Sequence, residues 1–205
     1  MRLGLPPSAE GLRASGGDWR TPRAGTVLWR VHRTAGPNVV GWNQLRYWGP
    51  SGARFDPHVP PRSESEIGVS YTATDVASAL AEVFQDRRVV NTIRRAPYLT
   101  AWRTGRRLRL LDLAGTWPVR HGASHAINTG RHDLCRAWAR AIYQRWPALD
   151  GLHVCSAMTG RPCVVLWSGA ADSFPAAPSF SAPLSDPALR PYLYRATQEI
   201  GYTLL

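Results

Sequence analysis

The sequence predicts a single-domain α+β fold. Three observations carry that reading: an alternating strand at residues 26–33, a strongly amphipathic helix at about 132–146, and two closing strands joined by a turn at Thr159-Gly160. Strands and helices mix without the regular strand–helix–strand alternation of a doubly wound parallel sheet, and the closing pair reads as antiparallel. At 205 residues one domain is the default, with enough chain to bury a substantial core.

Taken in order, residues 1–25 are rich in Gly, Pro, Ser and Arg without periodicity, and read as a disordered or loosely packed leader. Residues 26–33 (TVLWRVHR) place Val27, Trp29 and Val31 on one face and Leu28, Arg30 and His32 on the other. A long Gly/Pro/Trp-rich stretch at 35–65 follows, a length that inside a compact domain points to a functional loop or lid. Residues 68–72 (GVSYT) form a short strand, and Thr74 or Asp75 caps a helix running to about Asp86. Its apolar stripe is Val76, Leu80, Val83 and Phe84, with Glu82 turned away from it.

Residues 108–113 (LRLLDL) read as another strand. The helix at 132–146 turns Leu134, Trp138, Ala141 and Ile142 inward and Arg136 and Arg140 outward. Residues 152–157 and 162–167 are the closing strands. An Ala/Ser/Pro-rich surface connection at 170–187 leads to a short helix or strand at about 188–204. The expected organisation is a leader at 1–25, the main unit at 26–170, and an extension of the same domain at 171–205.

Composition removes several mechanisms. Of 25 basic residues against 14 acidic, none is a lysine. A Schiff-base enzyme and a Walker-type phosphate loop both need a lysine amine, so neither is possible. Permanently charged arginine forks remain, suited to phosphate and carboxylate groups. They are densest at Arg87-Arg88, Arg94-Arg95 and 103–109, with no nucleic-acid-binding motif around them, which favours a solvated basic surface over nucleic-acid binding. No run approaches about 18 apolar residues, so no membrane span is expected. Three cysteines without CxxC spacing fit a reduced, cytoplasmic chain.

Individual candidates are ambiguous on pattern alone. Arg30, inside an otherwise apolar strand, must face solvent or a ligand, or find an acidic partner. Glu82 suits either a solvated helix face or the wall of a cleft. Tyr71 fits any strand. Ser156 shares a face with Leu152 and Val154 and lacks a G-x-S-x-G elbow. His121, His125 and His132 have no Cys or carboxylate at metal-ligand spacing, so no metal site is expected. Cys155 and Cys163 flank the closing turn and could face each other across it. No GxGxxG follows a strand, which argues against a Rossmann site.

In sequence order these signals form a pattern: LWRV at 28–31, GARFDP at 52–57, SYTATDVASALAEV at 70–83, LLDL at 110–113, LCRAWARAIY at 134–143 and DGLHVCS at 150–156. This resembles the RES domain family, named for an arginine, a glutamate and a serine, over roughly residues 26–170. The resemblance implies a fold similar to ADP-ribosyltransferases of the diphtheria-toxin type, with mixed and antiparallel sheets and flanking helices. It also implies an activity that consumes NAD+ as substrate, with no cofactor.

On that resemblance, Arg30, Glu82 and Ser156 are the catalytic residues, and Arg30, Tyr71, Arg54 and Ser156 bind NAD+. Many family members are the toxin half of bacterial toxin–antitoxin pairs, which implies a cognate antitoxin as partner; a homo-oligomer stays open. Two departures stand out: Ala157 follows the serine where the family often has arginine, and the stretch between Arg30 and Tyr71 carries Trp42 and Trp48.

Overall fold

The computed structural model describes residues 3–205. Met1 and Arg2, the start of the expected leader, lie outside the described residues. The strands are β1 (Trp19–Arg20), β2 (Val27–Arg33), β3 (Arg46–Gly49), β4 (Ser63–Ala73), β5 (Val89–Val90), β6 (Pro97–Arg103), β7 (Leu110–Asp112), β8 (Gly151–Cys155), β9 (Pro162–Trp167), β10 (Phe180–Pro183) and β11 (Thr203–Leu204). The α-helices are α1 (Val76–Phe84), α2 (Trp117–Arg120), α3 (His132–Arg145) and α4 (Arg190–Ile200).

The fold is α+β, as the sequence predicts. Among the described residues, nine strands form one sheet in the order β1-β7-β8-β9-β4-β2-β6-β10, with β3 on β4, and β5 and β11 make a separate parallel pair. Every neighbouring pair in the large sheet is antiparallel except β7 and β8.

Strand alternation builds a core on each face of this sheet. On β2, Trp29 and Val31 join the larger core with Leu80 of α1, Trp138 and Ile142 of α3 and Leu193 of α4. Leu28 faces the other way, toward Trp102, Val164 and Leu166, under a cover of loop residues that includes Trp42 and Phe174. Helices therefore cover one face and loops the other. Gly151 opens β8 at φ 150°, where a Cβ would lie 1.9 Å from the Val165 carbonyl oxygen, so only glycine lets β8 close on β9 here.

One seam interrupts the ladder of the sheet. β2 pairs with β6 along its whole length, yet touches β4 through the single pair Trp29–Ala73. β4 in turn is fully paired with β9 from Val69 to Ala73. The two halves of the sheet are thus joined at one residue pair and diverge beyond it.

Several expectations are corrected. Residues 3–25 are not a loose leader. Leu12 is fully buried and Leu3 nearly so, β1 pairs with β7, and the backbone accepts bonds from Trp138 Nε1 (to Gly4, 2.9 Å), Trp117 Nε1 (to Arg13, 2.7 Å) and Arg145 Nε (to Leu12, 3.2 Å). Two leucines and side-chain donors of α2 and α3 supply what composition does not. The 35–65 stretch contains β3 and the start of β4.

The 170–187 segment is no mere surface connection, because β10 pairs with β6 and Leu184 is buried. The tail is a helix followed by a strand, separated by Gly201 in the left-handed conformation, φ 68°. Cys163 lies opposite Val154, and Cys155 opposite Pro162, so the two cysteines do not face each other.

Candidate active site

The seam between β2 and β4 opens into a cavity of about 440 Å³. Arg30, Arg54, Tyr71, Glu82 and Ser156 all line it. The structure therefore brings every candidate residue to one place, from two strands, one helix, a loop and the end of a third strand.

Glu82 is positioned by the start of α1. Asp75 caps the helix, its Oδ1 accepting the Ser78 amide at 2.8 Å and its Oδ2 the Ser78 hydroxyl at 2.8 Å. Ser78 Oγ also lies 2.7 Å from Thr159 Oγ1, in the turn between β8 and β9. Glu82 stands one helical turn further on, four residues away and so on the same face as Ser78. Val83 packs against the larger core, as the stripe predicts, and also lines the cavity.

Ser156 closes the second rung of this ladder. Its Oγ accepts the amides of Met158 (3.1 Å) and Thr159 (3.0 Å) and donates to Glu82 Oε1 at 2.6 Å. A serine hydroxyl has two lone pairs and one proton. With both lone pairs taken by amides, the proton is committed to the carboxylate. The geometry makes Ser156 a fixed donor that holds Glu82 and leaves it poorly placed as a nucleophile.

Arg30 answers the mid-strand question in an unexpected way. Its Nη1 donates to the carbonyls of Gly41 (3.0 Å), Trp42 (3.1 Å) and Gln44 (3.0 Å), clasping the loop between β2 and β3. Among the described residues it has no acidic partner. Burial, with the Arg46 charge nearby, lowers it to about 10, which still leaves a cation at neutral pH. Carbonyl dipoles solvate the charge without cancelling it, so a net positive charge stays beside the β2 edge of the cavity.

Arg54 and Tyr71 are set by the loop before β4. Arg54 Nε donates to the Gly130 carbonyl at 3.2 Å, and its two terminal nitrogens have no partner among the described residues. Tyr71 Oη accepts the Phe55 amide at 3.1 Å, and burial, reinforced by the Asp56 charge, pushes its phenol well above the usual range.

Beneath them, fully buried Asp56 receives Arg46 Nη2 at 2.7 Å, the Ser51 amide at 2.7 Å and the His58 ring. Burial alone would raise the Asp56 carboxyl; the His58 and Ser51 bonds and the Arg46 charge instead hold it well below the usual carboxylate range. This cluster, unrecognised in the sequence although Asp56 lies in GARFDP, fixes the 51–58 segment that carries Arg54.

The histidines disperse. His121 stacks on Trp117 with ring centroids 4.4 Å apart, and His132 Nδ1 bonds to the Gly52 carbonyl at the cavity edge. Among the described residues no three His, Cys, Asp or Glu groups are placed to hold a metal ion. Among the described residues no helix is long and apolar enough to cross a membrane.

A family model described as the RES domain matches residues 27–190. The chain belongs to the RES domain family. Arg30, Arg54, Tyr71, Glu82 and Ser156 all fall within the RES match, which runs past the expected 170 to take in β10. No curated protein matches this RES chain. Among solved structures it is similar to a chain of the M. tuberculosis MbcT–MbcA toxin–antitoxin complex, with a TM-score of 0.57 at 18% identity, over 88% of this chain and 91% of that one. That likeness is one of fold.

Proposed function

We propose that this RES chain is an NAD+-consuming enzyme that cleaves the nicotinamide–ribose bond by glycohydrolysis or phosphorolysis and acts as a growth-inhibiting toxin. The observation that carries the reading is the Ser156–Glu82 bond of 2.6 Å inside a cavity that also presents Arg30 and Arg54. Breaking the bond releases neutral nicotinamide with the electron pair and leaves positive charge on the ribose. A fixed carboxylate beside that sugar stabilises the developing cation or holds a ribose hydroxyl. Ser156 engages only Oε1, so the second oxygen of Glu82 serves this purpose.

Arg54, with two free guanidinium nitrogens, and Arg30 suit the pyrophosphate of the dinucleotide. Tyr71 offers its ring to nicotinamide. Water or phosphate then captures the ribose carbon, and no step calls for a metal or a lysine. The toxin role and a cognate antitoxin as partner rest on family membership and on the fold shared with the MbcT–MbcA complex.

The test is incubation of purified protein with NAD+, with and without inorganic phosphate, following nicotinamide and the ADP-ribose product. Nicotinamide release is expected, and the product identifies the acceptor. Folded protein that releases none under either condition overturns the reading. Label appearing on protein instead of free ADP-ribose would establish ADP-ribosyl transfer to a protein.

A further inference from the structure

Asn128 has no role in the site as described so far, and nothing in its sequence context marks it out. It lies at the end of a short 3₁₀ turn, His125–Asn128, is 1% exposed, and lines the cavity. Its amide is fully committed. Nδ2 donates to the carbonyls of Leu113 (3.0 Å) and His125 (3.4 Å), and Oδ1 accepts the amide of Cys155 at 2.9 Å. The carbonyl contacts fix which end of the amide faces Cys155. One side chain thus ties the end of β7, the 3₁₀ turn and the last residue of β8 together, directly before Ser156.

We propose that Asn128 is a positioning residue that sets the place of the Ser156 hydroxyl and, through it, of the Glu82 carboxylate. β8 ends at Cys155, so beyond it the sheet no longer holds the chain in register. Ser156 is held by its own amide on the Arg161 carbonyl (2.8 Å), by the Gly160 amide on its carbonyl (3.0 Å), by the hydroxyl bonds described above, and by the Asn128 clamp on the residue before it. Without that clamp the Cys155 amide loses its acceptor on the side facing away from β9, and the end of β8 shifts enough to move the hydroxyl off the line between the Met158 and Thr159 amides and Glu82. The functional half of the proposal rests on the roles given above to Ser156 and Glu82.

The test uses the full chain as Asn128→Ala, Ser156→Ala and the double variant. For NAD+ turnover, each single change is expected to lower kcat by about 10- to 100-fold, the scale of a small misplacement of a reacting group, with KM within about twofold. The double variant is expected to be no slower than the slower single one, because both act through one hydroxyl. Multiplying losses overturn the proposal.

A second readout needs no turnover: the amide proton resonances of Met158 and Thr159, which report the position of Ser156 Oγ. In Asn128→Ala they move toward their Ser156→Ala values; resonances that stay in place overturn the proposal. If wild-type protein releases no nicotinamide, the NAD+ reading fails while these resonances still decide the positioning role. Should Asn128→Ala not fold, Asn128→Ser, which keeps a donor and an acceptor, carries the same comparison.

Discussion

Ser156 and Glu82, 74 residues apart in sequence, meet through a 2.6 Å hydrogen bond whose direction is dictated by two backbone amides. Replacing Glu82 by glutamine keeps an oxygen for the serine proton and removes only the charge. Glu82→Gln is therefore expected to lower nicotinamide release by at least about 100-fold, the scale of losing one charge-stabilising group. Its thermal midpoint stays near that of the wild type. A variant that remained fully active would make Glu82 an ordinary wall residue.

Arg30 is expected to matter for stability as well as for binding. Lysine carries the charge, but its flexible, strongly hydrated ammonium is not held in the plane that places Nη1 among three carbonyls. Arg30→Lys should lose roughly 2–3 kcal/mol in urea unfolding, and amide exchange across residues 41–44 should quicken. KM for NAD+ should rise in the same variant. Unchanged stability and exchange would mean that the loop is held by something else.

The N-terminal segment offers a direct check on its packing. Leu12 is fully buried in the larger core. Leu12→Ala should cost roughly 2–5 kcal/mol, as for other large-to-small core changes. Chemical denaturation measures it, and a change below about 0.5 kcal/mol, typical of surface sites, would restore the picture of a loose leader.

His32 gives the protein a specific sensitivity to mild acid. It is 9% exposed, its Nε2 lies 3.1 Å from Thr100 Oγ1, and its buried Nδ1 has no partner among the described residues. Burial, then the Arg30 charge, lowers it to about 4 from an ordinary 6.5. Between those values the unfolded chain binds the additional proton and the folded chain does not. Stability from this group is therefore complete above about pH 6.5 and is lost as pH falls toward 4, by up to about 3 kcal/mol. His32→Gln should flatten the urea midpoint between pH 7 and 4.5, and an unaltered slope would contradict the assignment.

How much of this was legible follows from how local each signal is. The cap at Asp75, the stripe of α3 and the turn between β8 and β9 are written within a few residues, and the structure reproduces them. β6 escaped because it is a central strand flanked by β2 and β10. Leu99, Thr100, Ala101 and Trp102 are all buried, so no alternation survives to be read. The N-terminal segment is held by residues more than a hundred positions away.

The site was legible only as an ordered set of residue types that matched a family. Nothing local joins Glu82 to Ser156, and the clasp of Arg30 on loop carbonyls, the Asp56 cluster and Asn128 left no sequence signal of their own beyond Asp56 sitting in GARFDP.

The single contact between β2 and β4 has a mechanical consequence. Each half of the sheet is internally registered by full ladders, while the span from Arg30 to Tyr71 crosses the one joint that carries a lone pair, Trp29–Ala73. The width of the gap is therefore set by side chains rather than by the ladder: Leu80 of α1 packs in one core with Trp29 and Val31 of β2, and the Arg30 clasp ties β2 to the loop that enters β3, itself paired with β4. Substitutions at Trp29 or Val31 reach Glu82 through its own helix, so the sheet's weakest joint is braced by the element that carries the carboxylate.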